Sequence, residues 1–233
     1  MRCSPSSLRV ADERGFTLPE LLVAMTVGMI ILLAGYGVLD VTIEATGQVT
    51  ARTDASQRGR VAMQSVSRTL RSRVCPDPLT PALVQASPNS LEFYADLRGE
   101  GLQPDRHLIA YDASSSTITD TVWESTGTAP TFTFPATPTR SRVVATRVAP
   151  DGDALFRYFA YNTTGTPVRP EQPLTSNPLS ATDRKRVVVV AVSMVVRPDP
   201  AAGDDNVARS STYRNDVFAR LADPQAPQEG SPC

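Results

Sequence analysis

The chain has 233 residues, 41% of them apolar, with 23 basic residues against 24 acidic ones and a net charge of -1. That is enough for one cored domain plus an additional element. It argues against wholesale disorder, and it provides no global positive field to hold nucleic acid or anionic lipid. One histidine and three cysteines leave too few ligands for a multi-ligand zinc site, and any histidine-based triad would have to run through His107.

Of the 20 prolines, 18 lie beyond Cys75 and none falls between Glu20 and Cys75, where one would break a helix by removing a donor and clashing with the preceding turn. Inside that stretch, Leu21 to Leu39 is a run of 19 residues without a charge. As a helix it extends about 28 Å, against about 30 Å of bilayer hydrocarbon, so the run predicts a membrane span. A removable secretory signal fits poorly, because its apolar region is only about 7–15 residues and closes on small residues. Here the run is followed by Asp40, Val41 and Thr42. Arg2, Arg9 and Arg14 precede it, whereas Asp40 and Glu44 are the first charges after it. The positive-inside bias therefore predicts a cytoplasmic N-terminus and export of everything after residue 40.

Directly before the apolar run stands Arg14-Gly15-Phe16-Thr17-Leu18-Pro19-Glu20-Leu21-Leu22-Val23-Ala24-Met25. This segment resembles the prepilin cleavage and methylation motif of type IV pilins and type II secretion pseudopilins. The resemblance implies that a prepilin peptidase cuts between Gly15 and Phe16 and that Phe16 becomes N-methylated. Glu20, fifth in the mature chain, would then answer the new α-amine of a neighbouring subunit. The physics of Glu20 agrees: an acid in a membrane helix costs up to about 2.5–3.5 kcal/mol near the centre and needs a partner. In the first helical turn it also complements the helix dipole, for about 0.3–1 kcal/mol. Pro19 departs from the aliphatic residue more common in the family, but in a first turn its missing N–H breaks nothing.

Past the span, Ala55, Gly59, Ala62, Met63, Val66, Leu70 and Val74 recur at helical spacing opposite Arg58, Arg60, Gln64, Ser67, Arg68 and Arg71. That pattern predicts an amphipathic continuation of one helix, from about Phe16 to Val74. Ala24, Gly28 and Gly35 fall near one face, where small side chains let another helix approach closely; simple tolerance of glycine in membrane helices is the alternative.

Strand signals follow at Ser90 to Ala95, His107 to Tyr111, Thr117 to Trp123, Thr131 to Phe134, Arg142 to Val148, Ala154 to Tyr161 and Arg186 to Val196. The last run is too short for a second span and rich in β-branched residues, so it reads as a buried central strand. Leu91 to Leu97 with Gly99-Glu100-Gly101, Leu155 to Tyr161, Arg186 to Arg197 and Tyr213 to Val217 resemble the heads of larger minor pilins and pseudopilins, the PilW-like and J-type class. The expected architecture is α+β and pilin-like: a leader over 1–15, a membrane half of the long helix over 16–40, an amphipathic half over 41–74, and an antiparallel β-sheet head over 75–233.

Cys3 falls in the predicted leader, while Cys75 and Cys233 would both be exported. Disulfides persist outside the cytoplasm, and a Cys75–Cys233 bridge is the preferred pairing, with free thiols or a bond between chains as the alternatives. His107, beside Asp105 and Arg106, reads as a solvated residue at a strand start rather than a catalytic base. Asp199, Asp204 and Asp205 match no calcium loop. Arg184, Lys185 and Arg186 form a compact basic cluster at the strand entry, a weak signal for phosphate contact.

No metal, cofactor or reaction is expected. The function that follows from the resemblance is that of a minor pilin or pseudopilin, at or near the tip of a type IV pilus or secretion pseudopilus. Its partners would be the prepilin peptidase, other subunits, the membrane and its assembly platform, with nucleic acid disfavoured. The alternative is a membrane-tethered binding module, either an adhesin or a DNA-uptake receptor.

Overall fold

A computed structural model of the chain describes residues 15–77, 80–99, 103–162, 164, 168–199 and 210–219. It comprises two compact units, Met1–Gly47 and Gln48–Cys233. One helix, α1 (Leu18–Arg71), has residues in both.

In the first unit the described residues are 15–17 and the start of α1, whose apolar side chains face outward: Leu22, Met25, Ile30, Ile31, Leu32 and Leu33 are all exposed. The segment is long and apolar enough to cross a membrane. Its threonines do not leave hydroxyls wanting partners, because Thr26 donates to the Val23 carbonyl at 2.8 Å and Thr42 to that of Val38 at 2.7 Å. Such back-bonding satisfies each hydroxyl within the helix itself, which for Thr26, inside the predicted span, stands in for water.

In the second unit, α1 buries Ala55, Gly59, Ala62, Met63, Val66 and Leu70, the apolar face that the spacing predicts. Ser67, expected on the polar face, is buried instead, because its hydroxyl accepts a bond from Asn215 Nδ2 at 2.7 Å. The helix also stops short of Val74. After Arg71 the chain turns, Val74 N–H donates to the Tyr94 carbonyl at 3.1 Å and Asp96 N–H to that of Ser72 at 2.9 Å. Cys75 precedes Pro76 and is thereby steered away from helical backbone.

Two antiparallel sheets complete this unit. The first orders β1 (Leu83–Ala86), β2 (Ser90–Ala95), β3 (Asp105–Asp112), β4 (Thr117–Trp123) and β7 (Arg140–Thr146) side by side. Its alternation is clean in β2 and β4, with Leu91, Phe93 and Ala95, then Ile118 and Val122, pointing inward. A small ribbon, β5 (Thr126–Thr128) with β6 (Thr131–Thr133), interrupts the path between β4 and β7. At Arg147 the backbone turns through φ +58°, a left-handed conformation unfavourable for a side chain with a Cβ. This delivers the chain from β7 into β8 (Val148–Pro150) of the second sheet.

That sheet orders β10 (Arg169–Leu174), β9 (Phe156–Asn162), β11 (Val189–Val196) and β12 (Ser211–Phe218), with β8 also pairing β11. β11 is central as its composition predicts, flanked by β9 and β8 on one side and β12 on the other. Its predicted start at Arg186 is corrected: Ala181–Arg186 forms a short helix, α2, capped by Ser180, whose hydroxyl accepts from Asp183 N–H at 3.1 Å. Serine followed three residues on by an acid is a helix-start signal, and the cluster Arg184, Lys185, Arg186 closes the last turn of α2 rather than opening a strand. Residues from α1, the sheets and Leu179 share one apolar core that includes Leu70, Phe93, Ile109, Phe156 and Met194.

The helix meets this core at very short range beside Tyr213. A methyl group at Gly59 would fall 2.2 Å from Tyr213 Cε2, so only glycine admits the ring here. The Tyr213 hydroxyl donates to the Ser56 carbonyl at 2.8 Å and lies 3.0 Å from the Ser56 hydroxyl.

Candidate functional site

Gly15, Phe16 and Thr17 precede the helix in non-helical backbone, all three exposed. Phe16 is 82% exposed. An accessible, non-helical segment suits a peptidase, which must reach the peptide bond it cuts. The helix opens with the Leu21 N–H donating to the Thr17 carbonyl at 3.1 Å, and the Thr17 hydroxyl lies 3.5 Å from the Glu20 carboxylate. Pro19 occupies the first turn of α1, where its missing donor is not needed. Glu20 is the acid of that turn, fully within reach of solvent or a partner. Ala24 and Gly35 are exposed and Gly28 half-buried, and a methyl group built at Gly28 or Gly35 meets nothing within 4 Å. The apolar surface, the acid at its edge and the small residues all belong to one helix, and apart from the half-buried Gly28 the described residues leave them exposed.

The second unit holds a polar site that the sequence did not announce. His107, expected to be solvated, is completely buried in the middle of β3 and stacks on Phe93 with ring centroids 5.9 Å apart. Its Nδ1 lies 2.9 Å from Asp120 Oδ1 on β4. The other Asp120 oxygen accepts from Arg142 Nε and Nη2, both at 3.2 Å, and Arg142 Nη2 also reaches the Ser65 hydroxyl of α1 at 3.1 Å. Burial by itself would raise the Asp120 carboxyl, but the bond and charge of His107 and the Arg142 guanidinium together hold it below the usual carboxylate range. Among the described residues His107 Nε2 has no partner, and the ring is sealed from solvent. The dyad therefore acts as a tie between sheet and helix. The signal was present in the alternation: Asp105 and His107 on β3 and Asp120 on β4 hold inward positions in a period-two pattern.

Other acids, the buried Asp105 and the half-buried Asp151, are similarly tied. Asp105 takes the Arg98 guanidinium and the Ser125 N–H, the latter at 3.1 Å. Asp151 accepts from Arg214, which more than any other contact holds its carboxyl low, and from the Ser193 hydroxyl at 3.1 Å. Arg73 is buried, and desolvation lowers it to about 10. Cys75, two residues on, is disulfide-bonded. Cys3 and Cys233, Asp204 and Asp205, the leader arginines, and Glu100 with Gly101 lie outside the described residues. Asp199 accepts from Arg147 Nη1 at 3.3 Å. Among the described residues no three histidine, cysteine or acidic side chains gather as a metal site would require.

An exposed apolar helix with an acid in its first turn, on a chain whose other unit is an antiparallel sheet structure, fits a single-pass, membrane-anchored α+β protein. Residues 11–36 match the family model described as the prokaryotic N-terminal methylation motif. The match spans Gly15, Phe16, Glu20 and most of the apolar run, so the N-terminal segment carries a methylation motif of the kind that type IV pilins and pseudopilins share. None of the curated proteins compared matches the chain.

Proposed function

We propose that the chain is a minor pilin or pseudopilin, cut after Gly15 by a prepilin peptidase, methylated at Phe16 and inserted through α1 into a type IV pilus or type II secretion pseudopilus. The observation that carries this reading is the placement of Glu20, an acid in the first turn of an uncovered apolar helix, directly after an exposed, non-helical Gly15–Phe16 segment. Cleavage creates an α-amine on Phe16, and the Glu20 of a neighbouring copy or sibling subunit neutralises it as the helix leaves lipid for the filament. Ala24, Gly28 and Gly35 allow the close helix approach that such a core needs. The leader arginines keep the N-terminus cytoplasmic, and the sheet unit is exported.

The role is structural, and no reaction is assigned. A bulky head packs poorly along a filament, which favours a low-copy position at or near the tip. Export also favours a Cys75–Cys233 disulfide, which would close the second unit between the end of α1 and the region beyond β12. Non-reducing electrophoresis of Cys233→Ser distinguishes this pairing, since the variant should lose the fast-migrating oxidised band.

The central test is mass spectrometry of the protein recovered from membranes, together with incorporation of Glu20→Leu into sheared filaments. A mature chain beginning at methylated Phe16 is expected, with incorporation of the variant reduced at least tenfold. An intact initiator methionine or normal incorporation of Glu20→Leu overturns the reading. Finding this chain to be the most abundant filament subunit overturns the tip position alone.

A further inference from the structure

β12 closes its sheet: β11 pairs with one edge along its whole length, and among the described residues no strand pairs with the other. The Ala219 N–H donates to the Val188 carbonyl at 2.7 Å. By antiparallel alternation, the odd-numbered residues of β12 turn their backbone groups toward β11, while Thr212, Arg214, Asp216 and Phe218 turn theirs outward. Two hollows of about 640 and 460 Å³ run beside this edge along the flank of α1, and Arg68 and Arg71 line both. Arg60 joins them in the second hollow, and Asp216 is the acid lining the first. Arg60, Arg68 and Arg71 are exposed, and among the described residues none has an ion-pair partner.

We infer that this trough is a strand-addition site for an extended, acidic polypeptide segment of another chain. The outward N–H and C=O groups of β12 supply backbone pairing, and the arginines along α1 receive carboxylates from alternate side chains of the added strand. An uncovered edge invites any strand; the guanidinium row restricts that invitation to acidic ones. Of the two aromatic rings lining the hollows, that of Tyr213 is packed over Gly59 with its hydroxyl bonded to Ser56, which leaves Phe218 alone for a nucleic-acid base to stack on.

The test uses the full chain in neutral detergent micelles and a fluorescein-labelled nonapeptide of alternating Glu and Val, read by fluorescence anisotropy. Saturable binding is expected, and exchanging Glu for Lys in the peptide should weaken it at least tenfold. Methylating one alternate set of peptide amide nitrogens should weaken binding at least tenfold, while methylating the other set should change it little. The double variant Arg68→Glu with Arg71→Glu should lose at least tenfold in affinity with an unchanged melting temperature, and hydrogen exchange of the bound chain should slow at the even-numbered amides of 212–218. The proposal is overturned by absence of binding, by equal binding of both methylated peptides, by binding indifferent to the double variant, or by a single-stranded oligodeoxynucleotide that outcompetes the peptide.

Discussion

Gly59 offers the sharpest test of how α1 is seated. On an isolated helix, Gly59→Ala should stabilise by about 1 kcal/mol, because alanine loses less backbone freedom. In this protein the added methyl would fall 2.2 Å from Tyr213 Cε2 and 2.7 Å from Cδ2, whereas carbon atoms rest comfortably at about 3.5–4.0 Å. The ring must therefore retreat by more than about 1 Å, and its hydroxyl gives up the 2.8 Å bond to Ser56. Overpacking costs about 1–3 kcal/mol and the lost bond about 1 kcal/mol. Against the helix gain, the net effect is a destabilisation of about 2 kcal/mol, or roughly 4–8 °C in melting temperature for a unit of this size. The assay is urea denaturation of the 48–233 fragment, followed by fluorescence of its single tryptophan, Trp123. In a Tyr213→Ala background the same Gly59→Ala change should become neutral or stabilising, while in Tyr213→Phe, which keeps the ring, it should still destabilise. A stabilised Gly59→Ala single variant, or an equal cost in the Tyr213→Ala background, would refute the reasoning.

Asp120→Ala leaves His107 and Arg142 facing a void and should cost about 3 kcal/mol by denaturant titration. Arg142→Ala, whose side chain is half exposed, should cost only about 1 kcal/mol. Asp120 and Asp151 both titrate below their usual range in the folded chain. Their stabilisation is therefore complete above about pH 3.9, the ordinary aspartate value, and is lost as pH falls from there through the folded values. Melting scans should show a decline setting in below about pH 4, smaller in Asp120→Asn; the same decline in both proteins would show that Asp120 contributes none of it.

Much of the chain could be read from local pattern because local pattern is what shapes it there. β2 and β4 alternate cleanly and fall where their periodicity puts them, and the apolar face of α1 follows its 3.6-residue repeat. The misreadings come from elsewhere. β10 contains Pro170 and Pro173 and is not among the strand signals, yet it lies at the sheet edge where a missing N–H is tolerated. α2 was hidden by the β-branched run that follows it, although its serine cap was visible. Ser67 and His107 look like surface residues until Asn215 and Asp120 come from distant strands to meet them, and no local window contains those partners. The N-terminal segment was legible for the opposite reason: its chemistry is confined to a few consecutive residues.

The polar attachments of α1 within the second unit have a mechanical consequence. Ser56 receives Tyr213, Ser65 receives Arg142 and Ser67 receives Asn215, three small hydroxyl-bearing residues gripped from two different sheets. Greasy surfaces can slide past one another by a helical turn at modest cost, but a displacement of about 5.4 Å would carry every one of these bonds out of reach together. A pull along the helix is thus resisted like a bolt in a keyway, and the load passes directly into both sheets.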